Sequence, residues 1–582
     1  MDVTTTDVLV VGAGPTGLTA AALLARYGID AITVAKHPGT ATAPRAHITN
    51  QRTMEIFRDL GIEDDVRRVA TPLSDIGFIT WAVSFSGTEL ARLSAWGTGP
   101  DRRGEYESTS PCAMVNAPQH VLEPVILAEA RRRGADVRFG VELLTLEEGT
   151  DHVLATVRDR SDGREHRIQA RYVVGADGAH STVSRQAEIP SEGDGSVRNW
   201  AISVWLEADL TRYCAYRPSA LYWMHQPGED LFSATWICVR PWTEWVMVVV
   251  YPAQHEEPAL EEATALAYAR AMIDDPLVEV RIKSIGTWSV GQALATTYSK
   301  SRVFLAGDAA HRHPPPNGLG SNTGVQDAYN LCWKLAMVLS GQAGPALLDS
   351  YDAERQPVGR TIVDRVMRSL ENMEPLTRAF GLETGLDARQ GHAQIAELAA
   401  DSDRGRDRRN RLRKALDLQH YQYNCHGVEC GQRYTSGAVL DAGLSGSGAG
   451  PDEQLHYRPS TCPGAHLPHA WVEHERQPLS TLDVVTHDRF TVVTGIGGQT
   501  WTAAAEKASA ALGMPLTVVA VDCHEQYHDA QGDWARIREI DGSGCLLVRP
   551  DRHIAWRAPH CPSDPAAELT DVLRQLLAHG SK

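Results

Sequence analysis

The sequence predicts an α/β protein. A Rossmann-like dinucleotide-binding unit is assembled from separated segments, an antiparallel β-sheet is inserted into it, and a further α/β body forms the C-terminus. Three observations lead there. A glycine-rich turn joins a β-branched run to a helical pattern near the N-terminus, two more strand-to-turn segments follow, and β-branched and aromatic runs lie between those two. The chain has 582 residues, and at about 150 residues per domain roughly four compact units are expected.

Composition narrows the class. Hydrophobic residues make up 43% and charged residues 22%, as in ordinary soluble proteins, which excludes disordered and collagen-like chains. The 56 Lys and Arg against 73 Asp and Glu leave a net charge of −17. Such a field repels nucleic acid and anionic membranes, so neither is an expected partner. No apolar run is long enough for a transmembrane helix. The N-terminus lacks a basic region before its apolar run and reads as a first strand, not a signal peptide. The 10 cysteines are scattered without a CxxC pair, which argues against a zinc or dithiol centre and for a reduced, cytoplasmic protein.

Val8–Val11 is the first strand and stops at Gly12. Gly12, Ala13, Gly14, Pro15, Thr16 and Gly17 then give GxGxxG between strand and helix, with Leu18, Ala22 and Ala25 on one helical face. Gly12 permits the turn, Gly14 lets a pyrophosphate approach, and Gly17 lets helix and strand pack closely. The helix N-terminus presents free N–H groups to the phosphates. The second strand, 31–35, should end in an acidic residue that holds the ribose. It ends instead at Lys36, so that either Lys36 or backbone groups recognise this end, or adenosine is held more loosely.

Two further segments share this design. Arg171–Gly178 is a buried strand ending in Asp177-Gly178, with Ser181, Thr182 and Arg185 opening a helix. Ser301–Asp308 ends in Gly307-Asp308 and continues through His311, His313 and Pro314–Asn322 into a helix beginning near Thr323.

The three segments in this order resemble the single-component FAD-dependent aromatic hydroxylases, a glutathione-reductase-type fold that includes phenol hydroxylase and para-hydroxybenzoate hydroxylase. PRAHITNQRTMEIFRDLGIE (44–63) and HPPPNGLGSNTGVQDAYNLCWKLA (313–336) place the resemblance nearest the chlorophenol hydroxylases. It covers residues 5–360 directly. It implies FAD as cofactor, NADPH or NADH as transient reductant, O2 and a phenolic substrate as partners, and a homodimer. Arg45 and Gln119 are then expected against the pyrophosphate and ribityl chain. Asp308 is expected to accept from ribityl hydroxyls, and Asp177 to be an acidic residue shared between flavin and nicotinamide. Pro315, Gly318, Leu319, Gly320, Ser321 and Asn322 form the flavin loop, whose backbone N–H groups favour the anionic reduced flavin. The family commonly has Gly and Met where this chain has Asn317 and Ser321.

Runs at 201–207, 220–225, 231–239 and 245–251 read as the substrate-covering antiparallel sheet. Tyr222, Met224 and His225 are its candidate cavity residues, although alternation places neighbours on opposite faces. Pro315 is a further candidate on the flavin side. His47 aligns where phenol hydroxylase carries an acidic residue near the substrate oxygen. It is either the base that takes the phenol proton or a structural histidine before the helix at Arg52. His311 and His313 lack a ligand set for a metal, so none is expected. The basic run 403–414 is balanced by acids and reads as a solvated helix face.

Helical patterning continues to about 420, and Ala442–Pro451 is a Gly/Ser-rich loop. Strands at 490–494, 516–521, 545–549 and 551–557, with helices at 502–512 and 566–578, resemble the thioredoxin-like domain of the larger hydroxylases, here without dithiol chemistry. The expected domains are 1–75, 105–190 and 295–420 for FAD, 76–104 and 191–294 for the substrate sheet, and 421–582 for the thioredoxin-like body. The implied reaction is NAD(P)H-driven hydroxylation through a flavin C4a-hydroperoxide. The alternatives are Baeyer–Villiger oxidation or epoxidation of a polycyclic natural product, or a flavin-binding protein that does not oxygenate. A halogenase is disfavoured because WxWxIP is absent.

Overall fold

The computed structural model describes residues 3–193, 199–228, 232–252, 258–382, 386–440 and 452–578. The expected loop Ala442–Pro451 and the strand residue Leu231 lie outside the described residues.

An eight-stranded sheet carries the dinucleotide-binding unit. Val3–Val11 runs parallel to Glu165–Gly175 on one side and to Ala31–Ala35 on the other. Val303–Leu305 and Asp136–Phe139 continue the parallel order outward. Val8, Leu9 and Val10 are fully buried, as expected where a parallel sheet is covered on both faces and its strands are apolar on both. Helices Pro15–Arg26 and Gly320–Leu339 pack together over this sheet. Because these strands are parallel, the turns after Val11, Gly175 and Leu305 open at one edge. That edge is where an α/β sheet binds its ligand.

The second sheet has seven strands in the order 281–290, 199–207, 244–252, 232–240, 219–226, 78–82, 89–94. Two segments far apart in sequence, 78–94 and 199–290, thus make one layer. It is not wholly antiparallel: Ser219–Gln226 pairs parallel with Phe78–Ala82. The parallel pair arises where the first segment joins the sheet built by the second.

In the C-terminal unit, Phe490–Thr494 and Leu516–Asp522 are parallel, joined by helix Gln499–Leu512. Cys545–Val548 and Ile554–Ala558 follow antiparallel, and helix Pro565–Leu576 closes the unit. The last strand begins at Ile554, not at Asp551, because Arg549–Arg552 form a turn whose charges are buried against Glu354 and Asp59 of the dinucleotide-binding unit. The expected boundary at 420 falls inside helix Asp403–Tyr423. The basic run on that helix is neutralised locally, with Arg406 on Asp401, Arg404 on Glu397 and Arg411 on Asp407. Among the described residues no helix is long and apolar enough to cross a membrane.

Candidate functional site

Three glycines of the first turn have three different surroundings. A Cβ on Gly12, at φ +109°, would lie 2.1 Å from the Ala176 carbonyl oxygen, and one on Gly17 would lie 1.9 Å from that of Gly12. These two are required by the backbone itself. A Cβ on Gly14 would meet only Glu123 Oε1, at 3.9 Å. The space over Gly14 is therefore open, and Gly12, Ala13, Gly14, Pro15 and Thr16 are all partly exposed.

The turn at Gly307-Asp308 reaches the same place through Thr16. A Cβ on Gly307 would lie 2.6 Å, and one on Gly324 2.3 Å, from Thr16 Oγ1. Thr16 is thus wedged between the third turn and helix Gly320–Leu339. Neither that helix nor Pro15–Arg26 has a side-chain cap at its N-terminus. Both helices therefore open with first-turn N–H groups that no side chain caps, an arrangement that favours anions. Asp308 is exposed, and its Oδ1 lies 3.9 Å from a Cβ placed on Gly320. A carboxylate acceptor beside free amide donors suits a ligand carrying both hydroxyl and anionic groups.

At the end of strand Ala31–Ala35 the missing acid is replaced by positive charge. Burial, then the charges of Lys36, Arg45 and Arg160, push His37 below its usual range. Lys36 and Arg45 are exposed. Gln119 donates to Glu123 Oε1 at 2.6 Å, and Ala41 N donates to Glu123 Oε2 at 2.5 Å. Glu123 was not anticipated. It pins the loop carrying Arg45 to helix Gln119–Arg132, and its spacing from Gln119 along one helix face was the available signal. Asp177 is committed elsewhere: it accepts from Ser181 Oγ at 2.5 Å, Thr182 N at 2.6 Å and Val183 N at 3.1 Å. Its side chain holds the start of helix Thr182–Gln186, while its neighbour Ala176 supplies the carbonyl against Gly12.

The flavin-loop candidates form one connected piece. Pro315 is exposed, and a Cβ on Gly318, at φ +65°, would lie 3.2 Å from Ile48 Cβ. Asn322 donates to Ile48 O at 2.9 Å and Gly318 O at 2.7 Å, and accepts from Asn50 N. Leu319 is buried, whereas Gly320 and Ser321 remain partly exposed.

His47 stands directly before Ile48. Its Nδ1 lies 2.8 Å from Asn116 Oδ1, and Asn116 Nδ2 donates to Cys238 O at 2.9 Å. The second bond fixes the Asn116 amide, so Oδ1 faces His47 and Nδ1–H must donate to it. Nε2 then carries the free lone pair. Burial pushes the imidazole down to about 4, partly offset by the Asn116 bond. His47 is therefore neutral at physiological pH and offers an acceptor between the flavin loop and the inserted sheet.

On the sheet, alternation sorts the cavity candidates. Tyr222 and Met224 are fully buried in a core with Phe85, Trp236 and Trp245, under helix Glu262–Ile273. Tyr222 OH is spent on Arg217 O. Their expected place in the cavity is corrected: they face away from His47. The opposite face carries Leu221, Trp223 and Ile237, packed with Ile48, Met114 and Tyr423. His225 shares this face beside Phe380 and is bonded to Ser233 Oγ. Trp223 was missed because periodicity pairs residues by face without saying which face is inward.

His311 Nε2 bonds Asp327, and His313 Nδ1 bonds Pro314 O. Among the described residues no group of three or more ligands that could hold a metal occurs.

Comparison with known proteins gives a consistent result. A family described as FAD binding domain matches residues 5–366, and one described as aromatic-ring hydroxylase, C-terminal, matches residues 460–579. The chain is 44% identical over 576 residues to 2,4-dichlorophenol 6-monooxygenase of Delftia acidovorans, covering 98% of each chain. It is 41% identical to phenol 2-monooxygenase of Pseudomonas sp. (strain EST1001), covering 98% of this chain and 93% of that one. The solved structure of the flavin-dependent monooxygenase PieE with FAD and substrate is similar at a TM-score of 0.95 and 42% identity, covering 99% of both chains.

Proposed function

Because the chain belongs to the FAD-dependent aromatic-ring hydroxylases, we propose that it adds one oxygen atom to a phenolic ring ortho to the hydroxyl, with His47 Nε2 accepting a hydrogen bond from the phenol hydroxyl. The chain is an FAD-dependent aromatic monooxygenase; the ring type, the position attacked and the residue roles are the proposal. The overall reaction is phenol, NAD(P)H, a proton and O2 giving the ortho-diol, NAD(P)+ and water. The activities named for the two relatives, at position 6 of a 2,4-dichlorophenol and position 2 of phenol, are both ortho to a hydroxyl.

FAD, when bound, supplies the redox chemistry and the activation of O2. The glycine turn, the two uncapped helix ends, Lys36 and Arg45 fit its anionic end, and Asp308 fits its hydroxylated chain. Gln119 and Glu123 hold the loop between them. Leu221, Trp223 and His225 wall the side that faces the loop and exclude water from the ring.

One observation carries the assignment of His47. It is bonded through Asn116 to Cys238 of the inserted sheet and continues directly into Ile48, which holds the flavin loop. Its Nε2 is thus fixed between cofactor side and substrate side. Accepting a hydrogen bond from the phenol hydroxyl there raises electron density on the ring carbon that is attacked. His47→Ala is expected to retain FAD while coupled product formation falls about 100-fold. NAD(P)H consumption continues and ends in hydrogen peroxide. Product per NAD(P)H, measured by chromatography, checks this; an unchanged yield sinks the role. Burial pushes the imidazole down to about 4, so neutral Nε2 serves as a hydrogen-bond acceptor for the phenol hydroxyl and does not carry its proton away.

All ten cysteines are unpaired, which supports a reducing, cytoplasmic setting. A homodimer belongs to the same proposal and is read directly by sedimentation.

A further inference from the structure

We propose that Asn317 is a positioning residue whose side-chain amide ties the flavin loop to the end of helix Asp403–Tyr423 and its exit at Asn424–Cys425, holding the flavin in register with the substrate sheet. The proposal rests on the FAD reading above. Asn317 stands at φ +70° and ψ −18°, and Gly318 follows at φ +65°. Asparagine is among the few L-residues that enter this left-handed region readily. Glycine enters it too but carries no side-chain amide. The asparagine keeps the turn and adds a donor.

That donor is used. Asn317 Nδ2 donates to Tyr421 O at 2.7 Å and lies 3.4 Å from Cys425 Sγ. The side chain is buried, so water does not compete for the bond. The same helix end grips the substrate sheet from the other side. Tyr423 O accepts from Trp96 N at 2.8 Å, and Tyr423 OH accepts from Trp223 Nε1 at 3.0 Å. Asn424 donates to Ser94 O and accepts from Gly97 N. Within five residues, Tyr421–Cys425 therefore bonds the flavin loop and the sheet face that carries Trp223.

The loop's other attachments, Gly318 against Ile48 and Asn322 on Ile48 O, reach the substrate sheet through the apolar packing of Ile48. Asn317 adds a hydrogen-bonded link from the other side of the loop. Oxygen transfer needs the reacting atoms within near-contact distance, where an error of about 1 Å costs about 100-fold. A loop free to drift from the sheet therefore loses transfer to the ring before it loses the cofactor.

Asn317→Gly and Asn317→Asp, in the FAD-loaded full chain, separate these effects. Both residues tolerate the left-handed turn, and neither can donate to Tyr421 O. Both are expected to keep FAD affinity within about threefold, while product per NAD(P)H falls about tenfold with the difference appearing as hydrogen peroxide. The flavin absorption change on adding 2,4-dichlorophenol should shrink in both. Wild-type coupling and an unchanged spectral response in both variants would overturn the proposal. Loss of FAD from both would also overturn it, because the amide would then serve cofactor retention and not register. Failure of the wild-type chain to hold FAD would instead refute the reading beneath it.

Discussion

Replacing Gly14 with valine is expected to yield a folded protein that no longer holds FAD. The reason lies in the contrast among the glycines. Gly12 and Gly17 press against backbone, so enlarging either disturbs the strand–helix junction itself. Gly14 has φ −79° and ψ −173°, an extended conformation open to any residue, and a Cβ there meets nothing closer than 3.9 Å. The protein leaves the space above it open. Two extra methyl groups there block the approach of a pyrophosphate to the helix N-terminus. Affinity for FAD should fall at least about 100-fold, or about 2.8 kcal/mol at 1.4 kcal/mol per tenfold. The urea midpoint of the apoprotein should show a loss of only about 1 kcal/mol, the scale of a helix-cap substitution. Fluorescence titration with FAD reads the first quantity. Stoichiometric FAD in Gly14→Val would contradict the assignment of this turn.

The second large effect concerns stability. Arg549, in the C-terminal unit, donates to both oxygens of Glu354 on helix Asp349–Glu371 and to Asp551, with no solvent exposure at Arg549 or Glu354. Lys334 and Asn330 donate to the same Glu354 Oε2. Burial opposes charge on Glu354, but Arg549 and Lys334 hold its carboxyl well below the usual range. Arg549→Met leaves Asp551 and part of Glu354 buried without their cation. Breaking a buried pair in this way costs about 3–5 kcal/mol, and the C-terminal unit should separate from the rest first. The depressed carboxyl also sets a sign for pH. Its contribution is present above the unfolded pKa near 4.5 and fades as pH falls further. Urea unfolding at pH 7 and pH 4 checks both points; a loss under about 1 kcal/mol for Arg549→Met would show that the network does not hold the unit.

The parts of this protein legible in its sequence are those encoded by neighbouring residues. The glycine turn, Asp177-Gly178 and Gly307-Asp308 announce strand ends because the turn residues adjoin the β-branched runs. Their meeting at one edge follows from parallel strands. What stayed hidden depends on residues far apart in the chain. His47 was visible as a histidine, but its tautomer is set by Asn116, which is itself fixed by Cys238. Alternation showed that Tyr222 and Met224 share a face. Only the packing of helix Glu262–Ile273 shows that this face is turned away from the flavin loop. Asp177 carried the expected motif, yet its carboxylate is used by Ser181, Thr182 and Val183. Asn317 looked like a departure from a family pattern, and its meaning lies in a carbonyl more than a hundred residues onward.

The central claim is that this chain transfers one atom of O2 to a phenolic ring. Incubating the FAD-loaded enzyme with 2,4-dichlorophenol and NADPH under isotopically heavy O2, and measuring the product by mass spectrometry, tests it most directly. The expected product is a catechol carrying a single heavy oxygen, formed in proportion to the NADPH oxidised. NADPH oxidation unaffected by the phenol, or a product whose added oxygen comes from water, would contradict the account.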